Sequence, residues 1–278
     1  MSYNNFQFLK FRIERGVLFV TIDHPPINIL TLDMAAEFLR LSVEVTADKD
    51  IRVVVFDSAN PDYFIAHFDV GTLVQFPDSP AAARSVDLHD LNRACEALRR
   101  MPKPTIAKVE GRARGGGSEL LMALDMRFGA IGRAFIGQPE VPLGIIPGAG
   151  GTQRLPRLIG VCRAFEVILG ADDLSADLGE RYGYFNRALP ENELTKFVEA
   201  LAFRMATFPP AAVSAAKAAI LSATELPLIE GIMEESRLFS TILPSAKKRM
   251  KKFLESDGQI HSMELDWTNM WDVLAKVE

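Results

Sequence analysis

A chain of 278 residues with 48% hydrophobic and 24% charged side chains has the composition of a folded globular protein and is long enough to bury a large core. Its net charge of −5 argues against a duplex nucleic-acid binder, which carries a basic excess to replace phosphate counterions. Its two cysteines, Cys95 and Cys162, are remote in sequence and form no CxxC pair, so neither a zinc site nor a disulfide framework is indicated, and a reducing cytoplasm is the expected compartment. No apolar run reaches the length of a membrane span. The opening MSYNNFQFLKFRIERG lacks a secretory signal, so the mature chain is expected to start at or near Met1.

In chain order, FQFLKFRIE at 6–14 and VLFVTI at 17–22 alternate in the manner of two strands turning at Gly16, a hairpin. Met34, Phe38, Leu41 and Val45 recur at helical spacing behind Thr31, a candidate N-cap, which predicts a helix over 31–47. IRVVVF at 51–56 has the continuous apolar character of a strand covered on both faces. A helix over roughly 80–100 leads into a strand at PTIAKV, 104–109, and Met126 to Ile136 is expected to return as one further strand. Strands alternating with helices predict an α/β layer fold. After about residue 190 the pattern is helical only, over 191–206, 210–223 and 228–254 with breaks at Pro209-Pro210 and Pro227. The expected division is therefore a core over 1–205 and an α-helical region with a tail over 206–278. Trp267, Trp271 and Leu274 stand at helical spacing in that tail and predict a packing contact with the same subunit or a neighbour.

Chemistry concentrates in two glycine-rich stretches. GGGSEL at 115–120 opens a helix, where a backbone without side chains can approach a ligand and present free N–H groups aided by the helix dipole. The P-loop pattern is absent, and Gly148-Ala149-Gly150 is followed three residues later by Gln153, so GxGxxG is absent as well. A phosphate or an oxygen that becomes negative during reaction fits such a loop; close helix–strand packing also explains the glycines. The second stretch, GQPEVPLGIIPGAGGTQRL at 137–155, carries Glu140 in uncharged surroundings, 140 − 119 = 21 residues after Glu119, an excursion that can bring both carboxylates to one cleft. Glu119 in a first helical turn favours its ionised form, and Glu140 among apolar neighbours favours its proton. Ser118 does not satisfy the GxSxG pattern of a nucleophile, because Leu120 takes the last position.

GGGSEL, Asp125-Met126-Arg127, GQPE and LGIIPGAGGTQRL, with PPINIL at 25–30, YFIAHFDV at 63–70 and the stretch from Ser175 to Pro190 in order, resemble the signature of the enoyl-CoA hydratase/isomerase (crotonase) superfamily over roughly residues 10–255. The resemblance implies a stack of ββα turns with a C-terminal α-helical trimerisation region, assembled as a homotrimer or hexamer. It implies an acyl-CoA thioester substrate and no separate cofactor, coenzyme A being part of the substrate. It assigns the amides of Gly116 and Phe68 to an oxyanion hole, Glu119 as base toward a water and Glu140 as acid toward C2 of a 2-enoyl-CoA. Ala66, His67, Asp69, Gly115, Pro139 and Gly148 would line the substrate. His67 stands where the family usually has glycine and either touches substrate or caps its loop; Arg112 and Arg114 replace residues that are usually apolar or aromatic. Lys247, Lys248, Arg249, Lys251 and Lys252 suit either CoA phosphates or a solvated helix face. Hydration of an enoyl thioester is the expected reaction; double-bond isomerisation, or acyl-CoA binding without catalysis, are the alternatives. A dehalogenase relative needs an aspartate near Gly148, which Pro147-Gly148-Ala149 does not supply.

Overall fold

The computed structural model describes residues 3–76, 87–265, 267, 270 and 274. The chain divides into two compact units, Met1–Ala206 and Thr207–Glu278. In the first, β1 (Leu9–Glu14) and β2 (Val17–Ile22) form the antiparallel hairpin, closed by Arg15 and Gly16 at φ 48° and 76°. Two adjacent left-handed residues match the right-handed twist of the flanking strands. Pairing begins at Leu9 rather than Phe6, because the Gln7 and Phe8 amides donate to the Glu37 carboxylate at 2.5 and 3.0 Å instead of to a strand. The helix α1 (Leu32–Ala47) starts where expected: Thr31 accepts from the Met34 amide, and Met34, Phe38, Leu41 and Val45 are buried.

Beyond the hairpin the chain alternates between two sheets. β3 (Val53–Ser58), β5 (Thr105–Val109), β7 (Met126–Ala130) and β10 (Arg187–Leu189) extend the first in parallel, giving the order β1-β2-β3-β5-β7-β10. β4 (Tyr63–Ile65), β6 (Arg112–Arg114), β8 (Phe135–Gly137) and β9 (Leu174–Ser175) make the second, in that order. Each pair of strands, one per sheet, is followed by helix. After β3 and β4 come α2 (Val70–Val74) and α3 (Asp90–Arg100), after β5 and β6 comes α4 (Gly116–Ala123), and after β7 and β8 come α5 (Gly151–Ile159) and α6 (Val161–Gly170). This is the stack of ββα turns that the sequence motifs imply.

Two sequence expectations need correction. The stretch Met126 to Ile136 is two strands, not one: Gly132 at φ 75° and the Arg133 and Ala134 amides bonded back to Ala130 make a tight turn that sends β8 into the other sheet. The helix over roughly 80–100 begins at Asp90; residues 77–86 lie outside the described residues. The short strands β6 and β8, invisible to a periodicity argument at 3 residues each, set the two glutamate-bearing segments side by side.

The first sheet is covered on both faces. Leu18, Val20, Val54 and Phe56 pack with Phe38, Leu98 and Leu121, whereas Val17, Phe19, Val53, Val55 and Phe128 pack with Leu194, Val198 and Ala202 of α8 (Glu191–Ala206). α7 (Ala176–Tyr182) precedes β10 and is capped by Ser175. The second unit contains α9 (Pro210–Ser222), α10 (Leu228–Glu255) and α11 (His261–Leu265), the first two starting at the expected prolines. Of the tail residues, Trp267 stacks on Phe253 of α10 at 5.5 Å between centroids, and the Leu274 carbonyl accepts from Arg249 at 2.5 Å, both contacts within the chain; Trp271 lies outside the described residues. Among the described residues no helix is long and apolar enough to cross a membrane.

Phe38 is fully buried with its ring 6.1 Å from Phe56, whereas Val43 on the same helix is 65% exposed. Phe38→Ala should therefore lower the unfolding free energy by about 3–5 kcal/mol and Val43→Ala by less than about 0.5 kcal/mol, read from denaturant midpoints.

Candidate active site

The three consecutive glycines have separate duties. Gly115 lies at φ 48°, and a Cβ there would sit 2.6 Å from Glu140 Oε1, so a side chain would expel the second carboxylate. A Cβ on Gly117 would sit 2.5 Å from the Ile65 carbonyl; this glycine lets α4 pack against β4, the helix–strand role that glycines also suggest in the sequence. Gly116 lies between them, and its virtual Cβ is 3.2 Å from both Leu30 Cδ2 and Phe68 Cβ.

The contact with Phe68 sets the two residues of the expected oxyanion hole side by side. Leu30 bridges the loop after β4: its amide donates to the His67 carbonyl and its carbonyl accepts from the Asp69 amide, each at 2.9 Å. That pattern turns the intervening Phe68 N–H to the side away from Leu30. Gly116, as the first residue of α4, has an N–H without an intrahelical acceptor. Among the described residues neither amide has a hydrogen-bond acceptor.

Glu119 is 2% exposed. Its Oε1 accepts from the amides of Ala149 and Gly151, both at 2.7 Å, at the N-terminus of α5. Burial raises its pKa above the usual glutamate range, opposed by those two donors and by Arg154. The dipole aimed at this carboxylate thus comes from α5 as well as from the first turn of its own helix, and desolvation outweighs it. Arg154 ties the same loop down: it donates to the Ala149 carbonyl at 2.7 Å and to Glu96 of α3 at 2.6 Å. Glu140 is 8% exposed, and burial together with the nearby Glu119 charge pushes its pKa up to about 7.

The remaining expected lining residues divide. Ala66 is buried, its amide bonded to the carbonyls of Ile27 and Asn28. His67 flanks the site, with its Cβ 3.9 Å from the virtual Cβ of Gly115, and its Nδ1 is 2.8 Å from the Phe68 carbonyl oxygen, a contact that stiffens the loop. Asp69 caps α2, accepting from the Gly71 and Thr72 amides and the Thr72 hydroxyl, which holds its pKa below the usual range; that carboxylate shapes the loop. Pro139 is half-buried between Gln138 and Glu140, and Gly148 is exposed with open space beside it and its carbonyl held by Asn92 at 2.9 Å. Arg114 makes a two-bond ion pair with Asp173 at 2.7 and 2.5 Å, and Arg112 lies over the Phe135 ring. Both substitutions of the family pattern are thus absorbed by contacts along the second sheet.

Gln138, Tyr184 and Arg154 escape sequence reasoning, which sees Ser118 only as a rejected nucleophile. With its nitrogen toward Glu140, the fully buried Gln138 amide donates to Oε2 at 3.1 Å and Oε1 at 3.3 Å while its oxygen accepts from Ser118 Oγ at 3.3 Å. Ser118 Oγ is 2.9 Å from the hydroxyl of Tyr184. Gln138 has a local signal, its place within GQPE; Tyr184 is 66 residues from Ser118, and no local signal links them. Among the described residues no three His, Cys, Asp or Glu side chains converge as a metal site requires.

The sequence matches the Enoyl-CoA hydratase/isomerase family over residues 12–260. It is 32% identical over 258 residues to the short-chain-enoyl-CoA hydratase of Clostridium acetobutylicum, spanning 92% of this chain and 96% of that protein. Identity reaches 40% over 162 residues with the enoyl-CoA isomerase/hydratase fer4 of Mycosarcoma maydis, a match that spans 58% of this chain and only 59% of that protein. The crystal structure of an enoyl-CoA hydratase from Bacillus anthracis shares the fold with a TM-score of 0.81 at 29% identity, covering 91% of this chain and 96% of that one. Two buried glutamates beside a glycine-opened helix thus stand on a family scaffold along nearly the whole chain, which belongs to the enoyl-CoA hydratase/isomerase family, the crotonase superfamily.

Proposed function

We propose that this protein is an enoyl-CoA hydratase that adds water syn across the double bond of a 2-enoyl-CoA thioester. The observation that carries this reading is the pair of buried carboxyls, Glu119 and Glu140, with pKa values raised by the same desolvated site and with Glu140 the acid at about 7. One carboxyl serves as base and the other as acid when their environments differ in this way.

In the proposed reaction the thioester oxygen lies against the amides of Phe68 and Gly116, which stabilise the enolate as charge moves onto it. Glu119 is anchored through Oε1, and among the described residues nothing hydrogen-bonds to its Oε2, which takes a proton from water as the water oxygen bonds to C3. Glu140 gives its proton to C2 as the enolate collapses. One turnover therefore leaves Glu119 protonated and Glu140 ionised, and a proton passed back through water resets the pair. The reading draws its substrate class from the family resemblance and from relatives named as enoyl-CoA hydratases.

Loss of conjugated-enoyl absorbance, followed with one short and one long 2-enoyl-CoA, tests this directly. Wild type should be active, and Glu119→Gln or Glu140→Gln should each lower kcat by about 10²–10⁴-fold. No loss with either chain length overturns the hydratase reading; a shift of the double bond in a 3-enoyl-CoA would then identify an isomerase, and thioester binding without turnover a noncatalytic role.

The pH dependence has a definite sign. Glu140 must be protonated to act, so kcat/KM should fall as pH rises through about 7, and this limb should be missing in Glu140→Gln. The folded state also binds this proton more tightly than the unfolded chain does. The stability it contributes is complete below the ordinary glutamate range and is lost as pH rises through about 7. Thermal melting should accordingly favour Glu140→Gln over wild type more strongly at about pH 8 than at about pH 5.

A further inference from the structure

Behind Glu140 runs a line of polar side chains in a region otherwise apolar. Gln138, Ser118 and Tyr184 are each fully buried. Tyr184 OH lies 2.9 Å from Ser118 Oγ and 3.1 Å from the Ser118 carbonyl oxygen, Ser118 Oγ lies 3.3 Å from one end of the Gln138 amide, and the other end lies 3.1 and 3.3 Å from the Glu140 oxygens. Buried groups of this kind must all be satisfied, so the protons along the line cannot be assigned independently.

Two arrangements that satisfy the line differ in its direction. In the first, Tyr184 donates to Ser118 Oγ, Ser118 donates to the Gln138 oxygen, and the Gln138 nitrogen donates to an ionised Glu140. In the second, the three links from Glu140 to Tyr184 are reversed. A neutral Glu140 donates to the Gln138 oxygen, the half-turned amide donates to Ser118 Oγ, Ser118 donates to the Tyr184 oxygen, and Tyr184 donates to the Ser118 carbonyl. Both use the same heavy-atom positions, and passing between them takes rotation of two hydroxyls and one amide, with no bond made or broken beyond the proton gained or lost at Glu140.

We propose that Tyr184 is a positioning residue for Glu140, acting through Ser118 and Gln138 along a buried hydrogen-bonded chain whose direction reverses when Glu140 changes protonation state. The chain offers each form of the carboxyl a matched partner, so the acid is held in one place before and after it gives up its proton. That use rests on the assignment of Glu140 as the acid. Tyr184 itself stays protonated throughout, since burial pushes its hydroxyl up to about 12. The titratable and charged groups around Glu140 are Glu119 from α4, His67 from the loop after β4, Tyr184 from the segment before β10, and beyond it Arg127 of β7, which donates to the Tyr184 carbonyl at 2.8 Å.

Tyr184→Phe removes from the second arrangement the acceptor for the Ser118 proton, while the first keeps its link from Ser118 through Gln138 to Glu140. It therefore favours the ionised carboxylate. Carboxyl-carbon NMR of protein labelled with ¹³C-glutamate, with the Glu140 signal assigned by Glu140→Gln, reads this without turnover, so its outcome is independent of whether hydration is the reaction. The Glu140 midpoint should move about one pH unit lower in Tyr184→Phe. In protein labelled at the tyrosine ring, the Tyr184 Cζ signal should follow the Glu140 midpoint in wild type and lose that response in Ser118→Ala, which cuts the chain; this readout stands even if Tyr184→Phe does not fold. A Tyr184 signal that is flat across the Glu140 titration, or a Tyr184→Phe protein that melts at lower temperature with an unchanged Glu140 midpoint, overturns the proposal and reduces Tyr184 to a packing residue.

Discussion

The site depends on keeping a carboxylate at Glu119 almost entirely out of water. An isolated buried carboxylate is expensive enough that it ordinarily takes up a proton. Here two backbone amides at the N-terminus of α5 meet one oxygen at 2.7 Å, and among the described residues nothing hydrogen-bonds to the second. These donors belong to the loop Pro147–Gly151, whose shape follows from the need to reach Glu119. A Cβ on Gly151 would lie 3.0 Å from Glu119 Oε1 and 2.8 Å from Pro147, and Gly150 takes φ 104°. Arg154 then fastens the Ala149 carbonyl to Glu96 on a different ββα turn. One glycine in each stretch is there for the same reason: backbone must come close to a carboxylate, Gly115 to Glu140 and Gly151 to Glu119.

The same closeness explains why the two carboxyls differ. Glu119 has amide donors that favour its charge. For Glu140, burial and the charge of Glu119 favour the protonated form and push its pKa up to about 7. Their coupling makes the pair titrate as a unit.

Much of this architecture is legible in the sequence. The hairpin, the Thr31 cap, the strand at Val53–Phe56 with alternate residues facing opposite layers, and the helices after residue 190 follow from period and capping, which act over a few residues. Glu119 and Glu140 stand out as isolated charges in glycine-rich, apolar stretches. The second sheet does not, because Tyr63–Ile65 and Arg112–Arg114 are too short to show a period and their stability comes from pairing between segments far apart in sequence. For the same reason periodicity runs straight through Gly132 and does not mark the turn that divides β7 from β8. The link from Tyr184 to Ser118 is purely tertiary. Asp69 illustrates the converse: a residue adjacent to an expected oxyanion amide has its carboxylate fully used by a local helix cap.

The helix α4 draws these constraints together. All of its residues from Gly116 to Ala123 are buried, so neither end can rely on water for its unpaired backbone groups. At its C-terminal end the buried guanidinium of Arg127 donates to the carbonyls of Leu124 and Leu121 at 2.7 and 3.3 Å and to that of Tyr184 at 2.8 Å. A cation there complements the negative end of the helix dipole, and the positive end is directed at the place where Gly116 and Phe68 present their amides. One end of this short, buried helix is occupied by an arginine; at the other the Gly116 amide has no acceptor among the described residues. In the proposed reaction this uncompensated helix end is the receptor for enolate charge, while Arg127 and the packing of Gly117 on β4 hold the rest of the helix in place.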